Sequence, residues 1–294
     1  TGTRNALYSS GHPAPGSGLK NPFGLIKSTD GGKSWHAPAL AIAQFYHVAC
    51  DNRVPYRVMG NMQDQGTASG PSNSLRYMGI PLADWYGVGG GETGYSMPHP
   101  TEPDVVFSGE YAGIITRYDH RTKQARNISI YPYNASGHGA EDLRIRFQWT
   151  APIVISHHDP KVVYHAGNHL FRTTNNGQNW EQVSPDLTRN DRSKMKWSGG
   201  PITGDNTTAE FYGTIFALAE SPKQKGLLWA GTDDGLVHLS RDDGKTWTPL
   251  EKVGDYGGIV AMGSVASKKT GPGHYLAWFH DDGRYFSEKP AAKK

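Results

Sequence analysis

An all-β architecture of repeated, four-stranded antiparallel sheets is predicted for this chain by two periodicities and by its composition. The first periodicity is a turn present in three copies: Ser28-Thr29-Asp30-Gly31-Gly32-Lys33-Ser34-Trp35, Thr173-Thr174-Asn175-Asn176-Gly177-Gln178-Asn179-Trp180 and Ser240-Arg241-Asp242-Asp243-Gly244-Lys245-Thr246-Trp247. Each reads Ser/Thr, any residue, Asp/Asn, any residue, Gly, two more, Trp. The second periodicity is a hairpin signal at residues 51–60, 102–109, 159–167 and 222–231. Each copy is a polar turn, usually with Pro, then a β-rich run that ends at or near Gly. In composition, 37 Gly, 19 Pro, 8 Trp and 15 Tyr stand beside only 19% charged residues. That balance suits many short strands and excludes coiled coil and disorder.

The elements follow in order within each repeat. A short first strand precedes each hairpin signal, at 45–49, 85–89, 150–156 and 214–220, with a further one at 258–266. The signal itself supplies the second strand. A third follows at 113–118, 170–173 and 235–240, and a fourth starts near the turn's Trp, or near Gln124 where the turn is absent. A unit of about 40–50 residues with four strands is one blade of a β-propeller. Blade segments fall near 5–40, 41–84, 85–133, 144–190, 210–252 and 255–289, so six blades over 1–289 are expected, with seven as the alternative, and 290–294 as a solvated tail.

The turn has a readable physics. The Asp or Asn side chain is expected to bond backbone N–H groups one or two residues on. The Gly supplies positive φ, and the Ser or Thr hydroxyl adds a second local bond. The Trp then opens the next strand and packs between sheets. Asp30, Trp35, Asn175, Trp180, Asp242 and Trp247 are therefore structural, not catalytic and not metal ligands. A calcium loop would need more acidic ligands and a closing Glu. No metal site and no cofactor are expected.

Charge narrows the partners. A net charge of +3, with no long basic run and no aromatic RNA-binding motif, argues against nucleic acid. No apolar run is long enough to cross a membrane. The single cysteine, Cys50, permits no intrachain disulfide, and its apolar surroundings predict a small buried residue. His157-His158 has the look of a metal pair but falls in a turn, where a surface role is expected.

The repeated turn resembles the Asp-box, or BNR repeat, of sialidase-like propellers. Residues 41–250 resemble bacterial BNR-repeat proteins of the glycosyl-hydrolase-like group, and more widely the sortilin-type and xyloglucanase-type propellers. The residues that carry this are Gln63-Asp64-Gln65-Gly66, Gly89-Gly90-Gly91-Glu92-Thr93-Gly94, Thr116-Arg117-Tyr118-Asp119, Trp149-Thr150-Ala151-Pro152, Ser184-Pro185-Asp186-Leu187-Thr188, Gly200-Pro201-Ile202-Thr203 and Gly231-Thr232-Asp233-Asp234-Gly235-Leu236. The resemblance implies carbohydrate chemistry or ligand binding in a secreted or periplasmic protein. The three-Arg cluster of sialidases has no recognisable counterpart.

Propeller topology then locates a site. Loops joining second to third strands share one face, and the Asp-boxes share the other. The first set carries Asp64 with Gln63 and Gln65, Glu110 with Tyr111, Asn168 with His169, Asp233 with Asp234, and Asp281 with Asp282. Glu92 lies by an innermost strand. The long connections 131–143 and 184–209 add His138, Glu141, Arg189, Arg192 and Trp197 to that face, and Glu210 follows them. Asp64 and Glu92 are the candidate catalytic carboxylates. Gln63, Gln65, Glu110, Tyr111, His169, Asp233, Asp234 and Trp197 are the candidate binding residues. Carboxylates with aromatic platforms suit glycoside hydrolysis, with one acid and one base or nucleophile. The competing expectation is a propeller without catalysis that binds a glycan or a protein partner. Its exposed aromatics would be Phe45, Tyr46, Trp85, Tyr86 or Trp197, most of them otherwise core. Oligomeric state is left open.

Overall fold

A computed structural model describes residues 7–10, 25–36, 43–77, 79–202, 204–209, 211–252, 259–267 and 271–278. The expectations at Asp281, Asp282 and Glu210 lie outside the described residues. The chain divides into two compact units, 1–44 and 45–294.

The first unit holds one antiparallel pair, β1 (Leu7–Ser10) and β2 (Leu25–Ser28). Its Asp-box follows β2 directly, and Lys27 and His36 close an antiparallel bridge around it.

The second unit is a β-propeller. Its first blade is β3 (Phe45–Cys50), β4 (Arg57–Met62) and β5 (Gly66–Pro71). The second is β6 (Ser96–Pro98), β7 (Val105–Gly109), β8 (Ile115–Asp119) and β9 (Gln124–Asn127). The third is β10 (Ile153–Ile155), β11 (Val163–Ala166), β12 (Leu170–Thr173) and β13 (Glu181–Gln182). The fourth is β14 (Ile215–Glu220), β15 (Leu228–Thr232), β16 (Leu236–Ser240) and β17 (Thr248–Lys252). A further hairpin, β18 (Ile259–Ser267) with β19 (Gly271–Trp278), follows. Strands pair antiparallel in chain order within each sheet. Each first strand lies against the next blade's first strand, β3 on β6, β6 on β10, β10 on β14 and β14 on β18.

The core sits between blades. Met59, Val88, Val106 and Tyr118 join the first blade to the second. Phe107, Ile115, Ile153 and Val163 join the second to the third. Tyr164, Leu170, Ile215 and Leu228 join the third to the fourth. A second strand is therefore covered on both faces, and every residue of β7 and β11 is buried. That is why these strands show no in–out alternation of apolar and exposed polar residues. Arg146 reinforces the third contact from within. Its Nη2 donates to Asp186 Oδ2 at 2.7 Å and its Nε to the Gly213 carbonyl at 3.0 Å, while the residue is only 4% exposed.

Several sequence expectations need correction. Among the described residues, four-stranded sheets number three; the first blade has three strands and β1–β2 and β18–β19 are pairs. The second blade's innermost strand is Ser96–Pro98, not 85–89. The glycines of 87–94 cannot sustain a strand, and Gly89, Gly90 and Gly94 take φ of 79°, 62° and 96°. Tyr86 instead bridges Ser69 of β5, with N···O distances of 2.8 and 3.1 Å. Cys50 is exposed, at the end of a strand in which only Tyr46 and Ala49 are half-buried. Phe45 and Trp85 are 39% and 36% exposed, not core. His157 is exposed, while His158 is half-buried and places Nε2 2.7 Å from the Ser221 carbonyl. The connections 131–143 and 184–209 pack on each other, with Ala135, Ala140, Leu143, Met195 and Phe211 in a local core.

The three turns share one hydrogen-bond pattern, and its reach differs from expectation. Asp30 Oδ1 accepts from Ser34 N at 2.9 Å, Asn175 Oδ1 from Asn179 N at 3.2 Å, and Asp242 Oδ1 from Thr246 N at 2.8 Å. The Asp or Asn side-chain oxygen thus spans four residues, not one or two. The Ser or Thr hydroxyl accepts from the Gly N–H four residues on, at 2.8, 3.0 and 2.8 Å. These two bonds interlock, so each turn is fixed by side chains with little help from the sheet. They also hold the Asp30 carboxyl down at about 2, chiefly through Ser34, and lower that of Asp242 through Thr246. The turn Gly takes φ of 89°, 74° and 87° at Gly32, Gly177 and Gly244.

Candidate functional site

The site begins with a tight hairpin. Between β4 and β5, Gln65 N donates to the Met62 carbonyl at 3.1 Å, which places Asp64 third in a four-residue turn with φ 60°. That turn aims the Asp64 N–H at Glu92 Oε2, 2.8 Å away. Gln63 Nε2 donates to the same oxygen at 3.0 Å and to Asp64 Oδ1 at 3.0 Å.

Glu92 is held in place by a residue that sequence inspection passes over. Asn61, in β4, is fully buried. Its Nδ2 donates among the carbonyls of Gly91 (3.0 Å), Thr93 (2.7 Å) and Gly109 (2.9 Å), and its Oδ1 accepts from Ser96 Oγ at 2.8 Å. A first-blade amide thereby pins the glycine-rich loop of the second blade on both sides of Glu92. No regular structure satisfies those loop carbonyls, so the buried amide is what makes the loop tolerable.

Glu110 completes the acidic pair. The Glu92 N–H points at Glu110 Oε1, 3.4 Å away. Burial pushes the Glu110 carboxyl above the ordinary glutamate range. The Glu92 N–H bond works against this and the Glu92 charge adds to it. Gly91 makes room for the carboxyl, since a Cβ there would lie 1.5 Å from Glu110 Oε2.

Aromatic side chains flank the carboxylates. Tyr111 and Trp149 stack at 5.5 Å between centroids and 12° between planes. Trp149 Nε1 donates to Tyr46 Oη at 2.9 Å, Tyr46 donates in turn to Gln63 Oε1, and Thr93 donates to the Trp149 carbonyl. A line of donors therefore runs from Trp149 through Tyr46 and Gln63 to Glu92. It draws on three blades at one end of the unit. Tyr46, Gln63, Glu92, Glu110, Tyr111 and Trp149 are all partly exposed, so the cluster is both held and reachable.

The structure brings Gln63, Asp64, Glu92, Glu110 and Tyr111 together and leaves the other sequence candidates elsewhere. Gln65 is exposed and its N–H closes the turn. His169 Nδ1 faces the Ser184 carbonyl at 3.3 Å and Gln182 Nε2 at 3.1 Å. Trp197 lies over Gly204 and is 53% exposed. Asp233 and Asp234 face inward to backbone. Asp233 accepts from Gly213 N, Thr214 N and Thr214 Oγ1 at 3.1, 2.9 and 2.6 Å. Burial nevertheless pushes its carboxyl up to about 7. Asp234 Oδ2 accepts Arg189 N at 2.7 Å. These two carboxylates shape loops. Tyr46 and Trp149 carry as much of the cluster as the acids do, and Trp149 was legible only as part of a Trp-Thr-Ala-Pro motif.

Fold and site together define an all-β propeller with a carboxylate and aromatic cluster at one mouth. The family model described as the BNR/Asp-box repeat matches residues 26–37, and two further turns repeat the hydrogen bonds of that segment. No curated protein matches. Among solved structures, the chain is similar to a GH74 xyloglucanase from Xanthomonas campestris at 14% identity and TM-score 0.44, covering 81% of this chain and 37% of that one. It is also similar to a computationally designed protein at 13% identity and TM-score 0.40, covering 81% of this chain and 60% of that one. The chain thus spans less than two thirds of either structure.

Proposed function

We propose that this chain is an extracytoplasmic binding module that takes a hydroxyl-rich ligand of the glycan class at the mouth of its propeller. The observation that carries the reading is the Trp149–Tyr111 stack beside Glu92, Glu110, Gln63 and Asp64. A sugar offers an apolar face for an aromatic ring and hydroxyls for carboxylate and amide acceptors, and sites of this kind pair apolar walls with a few placed polar groups. Isothermal titration against soluble β-glucan and sialylated oligosaccharides tests it. Binding by the native chain and its loss in Trp149→Ala are expected. Absence of binding to any glycan, alongside a stable protein partner recovered by pulldown, would replace the glycan by a protein ligand. A secreted or periplasmic address belongs to the same reading and is checked by cell fractionation.

One observation favours a second reading, an active glycoside hydrolase. Glu110, kept above its ordinary range, suits a general acid, and Glu92, with two donors on Oε2, suits a base or nucleophile. The release of reducing sugar from a glycan panel decides between them. Hydrolysis that disappears in both Glu92→Gln and Glu110→Gln, with Asp64→Asn retaining part of the rate, would establish catalysis.

A further inference from the structure

Away from the mouth, two clefts lie between the second and third blades and meet at Gln178 of the second Asp-box. One, of 620 Å³, has Tyr131, Arg144, Phe171 and Trp180 on its walls. The other, of 550 Å³, has Arg117, Arg126 and Asp119. Their walls share one strand, β9, whose four residues are all exposed. Three guanidiniums therefore face one continuous groove, with Asp119 the single carboxylate among its lining residues.

That carboxylate is already taken. Arg121 Nη2 approaches Asp119 Oδ2 at 2.6 Å, and Arg117 Nη1 lies 3.8 Å from it. Arg117 Nε is buried with no hydrogen-bond partner. Arg126 spends one N–H on the Asn176 carbonyl at 3.2 Å. Arg144 places its Cζ 4.8 Å from the centroid of the Tyr131 ring, within cation–π range, and the residue is exposed. The cleft that Arg144 lines also has apolar walls at Ile130, Phe171 and Trp180.

We propose that this groove is a docking site for an extended acidic peptide. Carboxylates of the peptide meet Arg126 and Arg144, and an apolar side chain between them enters the cleft at Phe171 and Trp180. The argument is charge complementarity. Planar guanidiniums bind carboxylates in paired fashion, and clusters of them are the usual reader of acidic motifs.

The test is fluorescence anisotropy of the full chain with a labelled Glu-Phe-Glu-Phe-Glu peptide, run beside Lys-Phe-Lys-Phe-Lys and beside tetragalacturonate as competitor. Saturable binding of the acidic peptide alone is expected, weakening with salt. Arg144→Glu and Arg126→Glu should each reduce affinity by about tenfold or more. Thermal melting should stay at the native value in Arg144→Glu, whose guanidinium rests on an exposed ring. No saturable binding, equal binding of the lysine peptide, unchanged affinity in both variants, or displacement by tetragalacturonate at lower concentration than by unlabelled peptide would overturn the proposal. Trp149→Ala, at the propeller mouth, should leave this binding unchanged.

Discussion

Asn61 decides more than any acidic residue in the molecule. Its amide meets the Gly91 and Thr93 carbonyls of the loop that carries Glu92, and no other residue type of that size offers both these donors and the acceptor that Ser96 needs. Asn61→Leu leaves those carbonyls buried without partners and should cost about 3 kcal/mol or more, read by chemical denaturation. Ligand binding at the mouth should fall further than stability alone explains, because Glu92 loses its placement. Gly91→Ala is the converse probe. The fold should survive, but the added methyl displaces the Glu110 carboxyl. A carboxyl resonance assigned to Glu110 should then titrate closer to the ordinary glutamate range. Asp64, Glu92 and Glu110 could be picked from sequence because acids next to Gly in equivalent loops stand out. Asn61 and Tyr46 could not, since a buried amide and a half-exposed ring look like ordinary strand residues until their partners across blades are known.

At the scale of the element, the Asp-box is a side-chain knot. Ser240 is nearly fully buried, accepts from the Gly244 N–H at 2.8 Å and donates to Asp242 at 2.9 Å. Ser240→Ala should destabilise by about 1–2 kcal/mol, seen as a lower unfolding midpoint at unchanged m-value. The turn was readable from sequence because its chemistry is local and repeats. Its four-residue reach was not, because the shorter Asx closure satisfies the same residue types. Strand positions were readable where both faces are covered, as in β7 and β11, and failed at 85–89, where aromatic residues signalled a strand that the following glycines dissolve. The Arg146 bridge shows how blades are joined. Removing that guanidinium strands Asp186 in a partly buried site and frees the Gly213 carbonyl. Arg146→Ala should cost about 3–5 kcal/mol.

For the whole molecule, buried and exposed carboxylates pull stability in opposite directions with pH. Asp30 and Asp242 have lowered folded values, so their contribution is present above the unfolded carboxylate range of about 4 and is lost as pH falls below it, for Asp30 toward about 2. Asp233 is raised to about 7, so its contribution is complete below about 4 and disappears as pH climbs through 7. Glu110 is raised too and acts in the same sense as Asp233. The melting temperature should therefore peak on the acid side of neutrality. Asp233→Asn should flatten the decline between about pH 5 and 7 while leaving the acid limb intact, a comparison made by calorimetry across buffers.

The indole of Trp180 is used differently from those of its counterparts. Trp35 and Trp247 close onto the carbonyls of their own turns, Gly32 and Gly244, at 3.2 and 2.8 Å. Trp180 instead donates at 2.6 Å to the Ile128 carbonyl of the preceding blade. Two of the turns are consequently self-contained cassettes, while the middle one is a rivet through a seam. Gene duplication or engineered shuffling could copy the fourth blade intact, but the third travels only with a neighbour that presents the matching carbonyl.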